Sequence, residues 1–203
     1  MLGAIFLEMV PESMGIAPVV LTRFSTPTTL VLCGYLIVHT FEHTFASHLH
    51  FSEETHHEEV TNPMVGISAL IGMLVHTYFD GVAIGVSFLV SSTVGTLVFI
   101  AVFLHKIPDG FTIASIFVSS GYSNRRALSA AIALGVSTLL GVISIHLLPA
   151  GKPYALPISA GSLLYVAATD LMPEVNHEKG VKMALIVFAG IGVFLLAQFV
   201  AEM

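Results

Sequence analysis

The chain has 203 residues, of which 55% are apolar and 10% charged, and its mean hydropathy is +0.91. A soluble globular domain is excluded by that composition, and the bilayer becomes the solvent in which the fold must be read. The net charge of −6 argues against a nucleic-acid partner.

In chain order, Met1 to Val10 is apolar but only about half the length needed to cross a hydrocarbon core. It has no basic n-region and no small-residue cleavage site, so it is not a signal peptide; it reads as the second half of a helix, a partial span over about 1–11. Six full spans follow at 28–46, 64–90, 93–118, 127–149, 155–172 and 181–201, all helical. The predicted fold is an all-α membrane protein, a polytopic helix bundle forming one transmembrane domain over 1–203. Arg125, Arg126, Lys179 and Lys182 fall in one set of loops, against Arg23 and Lys152 in the alternate set. The excess places the first set, and with it 47–62, in the cytoplasm. Cys33 is the only cysteine, so there is no disulfide framework.

The chemistry lies in the scarce polar residues of the spans. The three Asp of the chain, Asp80, Asp109 and Asp170, all fall within apolar segments. A carboxylate there costs about 3 kcal/mol or more to insert and needs a partner, a cavity or an ion. His76-Thr77-Tyr78-Phe79-Asp80-Gly81 reads H-x-x-x-D-G, and His105-Lys106-Ile107-Pro108-Asp109-Gly110 repeats it 29 residues later. Four-residue spacing puts His76 with Asp80, and His105 with Asp109, on one helix face each. The two helices are antiparallel, so two imidazoles and two carboxylates can meet as a zinc set. Pro108 and the neighbouring glycines are expected to break or kink the helix and expose backbone carbonyls. A pair of interhelical His–Asp hydrogen bonds is the structural alternative.

Outside these spans, His39, Glu42 and His43 share a face at the end of 28–46, and the chain then enters a loop in which eight of residues 48–59 are His or Glu. His48, His50, His56 and His57 there are candidates for weak metal capture; a merely solvated acidic loop is the other reading. His146, near a helix end, reads as interfacial. Glu8-Met9-Val10-Pro11-Glu12 and Asp170-Leu171-Met172-Pro173-Glu174 both read acidic-x-x-Pro-Glu, 162 residues apart, in segments that run in opposite directions, as an inverted repeat requires. Glu8 and Glu12 at one mouth, and Asp170, Glu174, His177 and Glu178 at the other, are candidate entrance and exit relays; helix-end capping is the plainer reading for Glu12 and Glu174.

The paired motifs, the proline within the second, and the acidic-Pro-Glu element resemble the ZIP (zinc and iron permease) family of divalent metal transporters over nearly the whole chain. The resemblance implies a metal site at His76, Asp80, His105 and Asp109, and a 3+2+3 helix arrangement with inverted outer triplets. On that pattern the chain is expected to lack the first of eight helices. Members with a two-metal centre usually carry Asn and an acidic residue where this chain has Thr77 and Lys106. A single-metal site is therefore expected, with Lys106 as a tethered charge in the place of a second cation next to Asp109.

The expected function is transport of a divalent transition metal, Zn2+ first and Fe2+ or Mn2+ next, into the cytoplasm by alternating access. The resemblance and the inward His-rich loop carry the direction. The metal is cargo; no catalytic cofactor is expected, and the chain carries no phosphate-binding Gly-rich loop. The location is the plasma (inner) membrane, and faces bearing Gly190 and Gly192 would permit a homodimer. An intramembrane zinc hydrolase and a nontransporting metal-binding fragment are the alternatives.

Overall fold

The structure, a computed structural model, describes residues 1–16, 25–45, 63–148, 151–173 and 181–201. Among them there are helices and no strand. Helix α1 begins with a π-helical stretch, Ala4–Met9, and continues as Val10–Ile16. It is followed by α2 (Thr26–Phe45), α3 (Pro63–Val90), α4 (Ser92–Ser119) and α5 (Asn124–Leu147). Helix α6 (Lys152–Val166) runs on into a second π-helical stretch, Ala167–Leu171, and α7 spans Val181–Ala201. The chain is an integral membrane protein: α3, α4, α5 and α7 are each long and apolar enough to cross a bilayer. Helix α2 has the length, but its last turns carry His39, Glu42 and His43.

Short connections make α3, α4, α5 and α6 alternate in direction. Only Ser91 separates α3 from α4, and its hydroxyl accepts the Val94 N–H at 3.1 Å, capping α4. Between α4 and α5 the chain turns at Gly121, whose φ of 84° suits glycine. Tyr122 locks that corner. Its ring stacks on Phe117 at 4.9 Å, its hydroxyl donates to the Pro63 carbonyl at 3.2 Å, and the Arg126 guanidinium lies 5.6 Å above it.

Two sequence expectations need correction. Arg125 and Arg126 belong to the first turn of α5, Lys152 opens α6 and Lys182 lies in the first turn of α7, rather than in loops; arginine and lysine are good helix formers and extend the ends of the apolar runs. Nor is α4 broken at Pro108: it stays α-helical from Ser92 to Ser119, although the proline does remove the amide that would have met the Leu104 carbonyl and so exposes that backbone carbonyl, as expected.

The helices pack as two groups. In one, α3 lies against α4 and α5; in the other, α2 and α1 lie against α6; the groups meet where α3 touches α6 and α2. Glycine permits the closest approaches in both. A Cβ on Gly81 or Gly141 would strike the main chain between α3 and α5, and one on Gly34 or Gly161 would do so between α2 and α6. Ser137 strengthens the first pair by donating to the Leu74 carbonyl at 2.7 Å, and Tyr78 by donating to Ser144 at 2.9 Å.

The two π-helical stretches occupy equivalent places. The Val10 N–H bonds to the Ile5 carbonyl and the Met172 N–H to the Ala167 carbonyl, both five residues back and both just before a proline. Proline lacks an amide hydrogen and crowds the carbonyl four residues earlier, which the wider turn relieves. The repeat seen in the sequence at Glu8–Glu12 and Asp170–Glu174 thus has a backbone counterpart at the same offset.

Candidate metal centre

The centre sits between α3 and α4, midway along both. His76, Asp80, His105 and Asp109 each offer a ligand atom, and the four atoms lie within 4.8 Å of one another. His76 Nε2 is 3.2 Å from Asp80 Oδ2 and 3.7 Å from Asp109 Oδ2; His105 Nε2 is 3.4 Å from Asp80 Oδ2. Ligand atoms about 2.0–2.1 Å from a tetrahedral zinc stand about 3.3 Å apart, so these separations are the edges of such a polyhedron. The imidazole rings are 5.9 Å apart between centroids, leaving room for an ion between them.

Local structure fixes the ligands. Both pairs owe their shared face to the four-residue spacing within unbroken helix. His105 Nδ1 lies 3.1 Å from the Ala101 carbonyl one turn back; the N–H there donates to that oxygen and leaves Nε2 with its lone pair toward the carboxylates. Asp80 is fully buried, and its carboxylate faces His76, His105 and Lys106 with no backbone donor; both ring nitrogens of His76 and His105 Nε2 make no hydrogen bond. Polar atoms left this way in an apolar interior are costly. A set of two nitrogens and two carboxylate oxygens fits a zinc-type cation.

Lys106 is the other charge at the centre. Its ammonium donates to Asp109 Oδ2 at 2.9 Å and forms an ion pair with Asp80 Oδ2 across the helix interface. One cation thus lies against the two oxygens that face the histidines. The side chains of Lys106 and Asp109 are 18% and 19% exposed, whereas that of Asp80 is fully buried.

A family model described as "ZIP Zinc transporter" matches residues 47–198, three quarters of the chain. The chain belongs to the ZIP family. Its relatives include zinc transporter ZIP9 of Micropogonias undulatus, 31% identical over 73% of this chain and 51% of that protein. Zinc transporter YKE4 of Saccharomyces cerevisiae is 25% identical over 88% of this chain and 59% of that protein, and zinc transporter zipt-7.2 of Caenorhabditis elegans 33% over 49% and 23%. The chain therefore spans between about a quarter and three fifths of the length of these relatives. No solved structure matches it. ZIP proteins are transporters, and the hydrolase alternative is set aside.

The other residues singled out in this ZIP sequence are placed less centrally. Thr77 is buried but donates its hydroxyl to the Leu74 carbonyl of its own helix at 3.1 Å, not to the four ligands. Glu8 lies in the π-helical stretch of α1 and Glu12 in the α-helical part, both half-buried; Asp170 lies in the π-helical stretch of α6. Glu174, His177, Glu178 and the loop histidines His48, His50, His56 and His57 lie outside the described residues. His39 and His43 stack at 4.2 Å on α2, and His146 is exposed near the end of α5. Sequence reasoning paired Lys106 with Asp109 and missed its reach to Asp80; three-residue spacing gives the first contact, whereas the second depends on interhelical register.

Proposed function

We propose that this ZIP protein carries a divalent transition metal across its membrane, zinc first and iron or manganese next, through His76, Asp80, His105 and Asp109. The observation that carries the reading is the convergence of these four ligand atoms within 4.8 Å at mid-helix, three of the four residues buried, with both ring nitrogens of His76 and His105 Nε2 making no hydrogen bond. Relatives named as zinc transporters support the choice of metal.

The centre takes one ion. Lys106 brings a permanent positive charge to Asp80 and Asp109, and two unit charges about 4 Å apart repel by about 4 kcal/mol at a protein-like dielectric, which disfavours a second cation beside it. Metal entering the centre must draw Asp80 Oδ2 and Asp109 Oδ2 away from the ammonium, which moderates affinity and helps release. Alternating access moves the ion, with import into the cytoplasm of the plasma (inner) membrane. The division into two helix groups, with all four ligands in one of them, supports this mechanism. Glu8, Glu12, Asp170, Glu174 and His177 relay the ion at the mouths, and the His-rich loop 47–62 receives it. The open face of α7, where Gly190 and Gly192 meet nothing, is available to a second copy.

Radiolabelled zinc uptake into proteoliposomes tests the reading. Saturable uptake by the wild type, lost at least a hundredfold in both Asp80→Ala and Asp109→Ala, is the expected result. Wild-type protein that binds zinc but never moves it would be a metal-binding protein instead.

A further inference from the structure

At the metal centre Lys106 and Asp109 are partly exposed while the Asp80 side is sealed, and a carrier of the kind proposed above needs a way in on both sides. Three side chains on the sealed side are out of keeping with their surroundings. Ser87 of α3 and Ser159 and Ser162 of α6 are 0%, 0% and 1% exposed, and none of their hydroxyls has a hydrogen-bond partner. A buried hydroxyl left unpaired costs about 1–3 kcal/mol. Serine and threonine elsewhere in these helices avoid that cost by donating to a carbonyl three or four residues back, as Thr40, Thr96, Thr138, Ser144 and Thr169 do. If small size were all that was needed, alanine would serve, as it does at the neighbouring Ala83 and Ala160.

Their placement connects them to the centre. Ser87 is seven residues beyond Asp80, on the same face of α3 and about 10 Å along its axis. Helices α3 and α6 pack together and run in opposite directions. Phe79 of α3 packs on the cluster of Val38, Tyr165 and Val166. Taking Phe79 as level with Val166 in antiparallel helices puts Ser162 within about a turn of Ala83, and Ser159 within about a turn of Val86 and Ser87. The hydroxyls thus continue the line of His76 and Asp80 toward the Val90 end of α3.

We infer that the α3–α6 seam marked by Ser87, Ser159 and Ser162 is the second route to the centre, closed in this conformation and lined by hydroxyls that meet a hydrated divalent cation when the helix groups part. The inference rests on the metal-centre reading. Its labelling test does not depend on zinc.

Single cysteines at 87, 159 and 162, introduced into a Cys33→Ser chain in proteoliposomes, are exposed to methanethiosulfonate ethylammonium, a small cationic thiol reagent. Leu163→Cys and Val98→Cys, equally buried on the apolar side of the core, are the controls. Labelling at least tenfold faster at 87 and 159 than at the controls is expected, whether or not zinc is present. In parallel, Ser87→Val and Ser159→Val should lose at least tenfold in zinc uptake while still binding one zinc at equilibrium. Cysteines labelled no faster than the controls would overturn the route even if a valine variant fails to fold, since cysteine nearly preserves the size of serine. Absence of zinc binding in the wild type would instead overturn the metal centre and leave the labelling result standing.

Discussion

The two helix groups are held together by the same device and differ in what they enclose. Between α3 and α5, as between α2 and α6, glycines let main chains touch. The α3–α4–α5 group then adds side-chain hydrogen bonds across its interface and buries two carboxylates, two imidazoles and an ammonium beside them. The α1–α2–α6 group buries apolar side chains, the Tyr35–Tyr165 ring pair and uncharged hydroxyls, with a π-helical stretch in each of two helices. The difference teaches that the ligand geometry is complete within one group. The other supplies a surface for it to close against.

The sharpest way to break this comparison is to force each glycine contact apart. Gly81→Leu and Gly161→Leu should each destabilise the protein by about 1–3 kcal/mol or more, because the facing atoms are main chain and cannot rotate away. Folded protein recovered from Gly161→Leu should keep its zinc affinity, whereas Gly81→Leu, one residue from Asp80, should lose at least tenfold. Thermal unfolding in detergent and zinc titration read the two effects, and equal loss of affinity in both would erase the distinction. A smaller change is expected at Lys106. Replacing the tethered cation in Lys106→Glu should raise the stoichiometry from one zinc per chain to two, measured by elemental analysis of dialysed protein; a ratio that stays at one would remove the charge argument. Ser137→Ala, which deletes the bond to the Leu74 carbonyl, should cost about 1 kcal/mol and leave zinc uptake within a few fold of wild type. The least effect is expected from deleting residues 48–59, which should leave a clear uptake signal.

That His76, Asp80, His105 and Asp109 would meet was legible in the sequence, because a charge in an apolar helix has few explanations and two copies with one spacing leave fewer. Lys106 was half legible, since helical spacing shows its partner on the same helix and hides the one across the interface. The π-helical turns were not legible, although Pro11 and Pro173 were, because a proline can be accommodated by a kink, a break or a wider turn, and packing selects among them. Ser87, Ser159 and Ser162 looked like any small residues in a membrane helix until burial and bonding set them apart. Arg125 and Arg126 were placed one turn outside their helix because apolar content locates a span and not the end of its hydrogen-bond ladder.

The wide turns of α1 and α6 have a mechanical consequence. The Val10 amide is committed to Ile5 and residue 11 has none, so no amide four or five residues on is left for the Phe6 oxygen; by the same count none is left for that of Ala168. Each of these helices therefore has a compliant joint at a fixed place, 162 residues from its twin, where bending breaks no existing bond. By contrast α3, which carries His76 and Asp80, has no proline after its first residue and no such joint, while α4 lacks one amide at Pro108. Load placed on this molecule will be taken up at the missing amides, and the spacing of His76 and Asp80 along α3 will be the last to change.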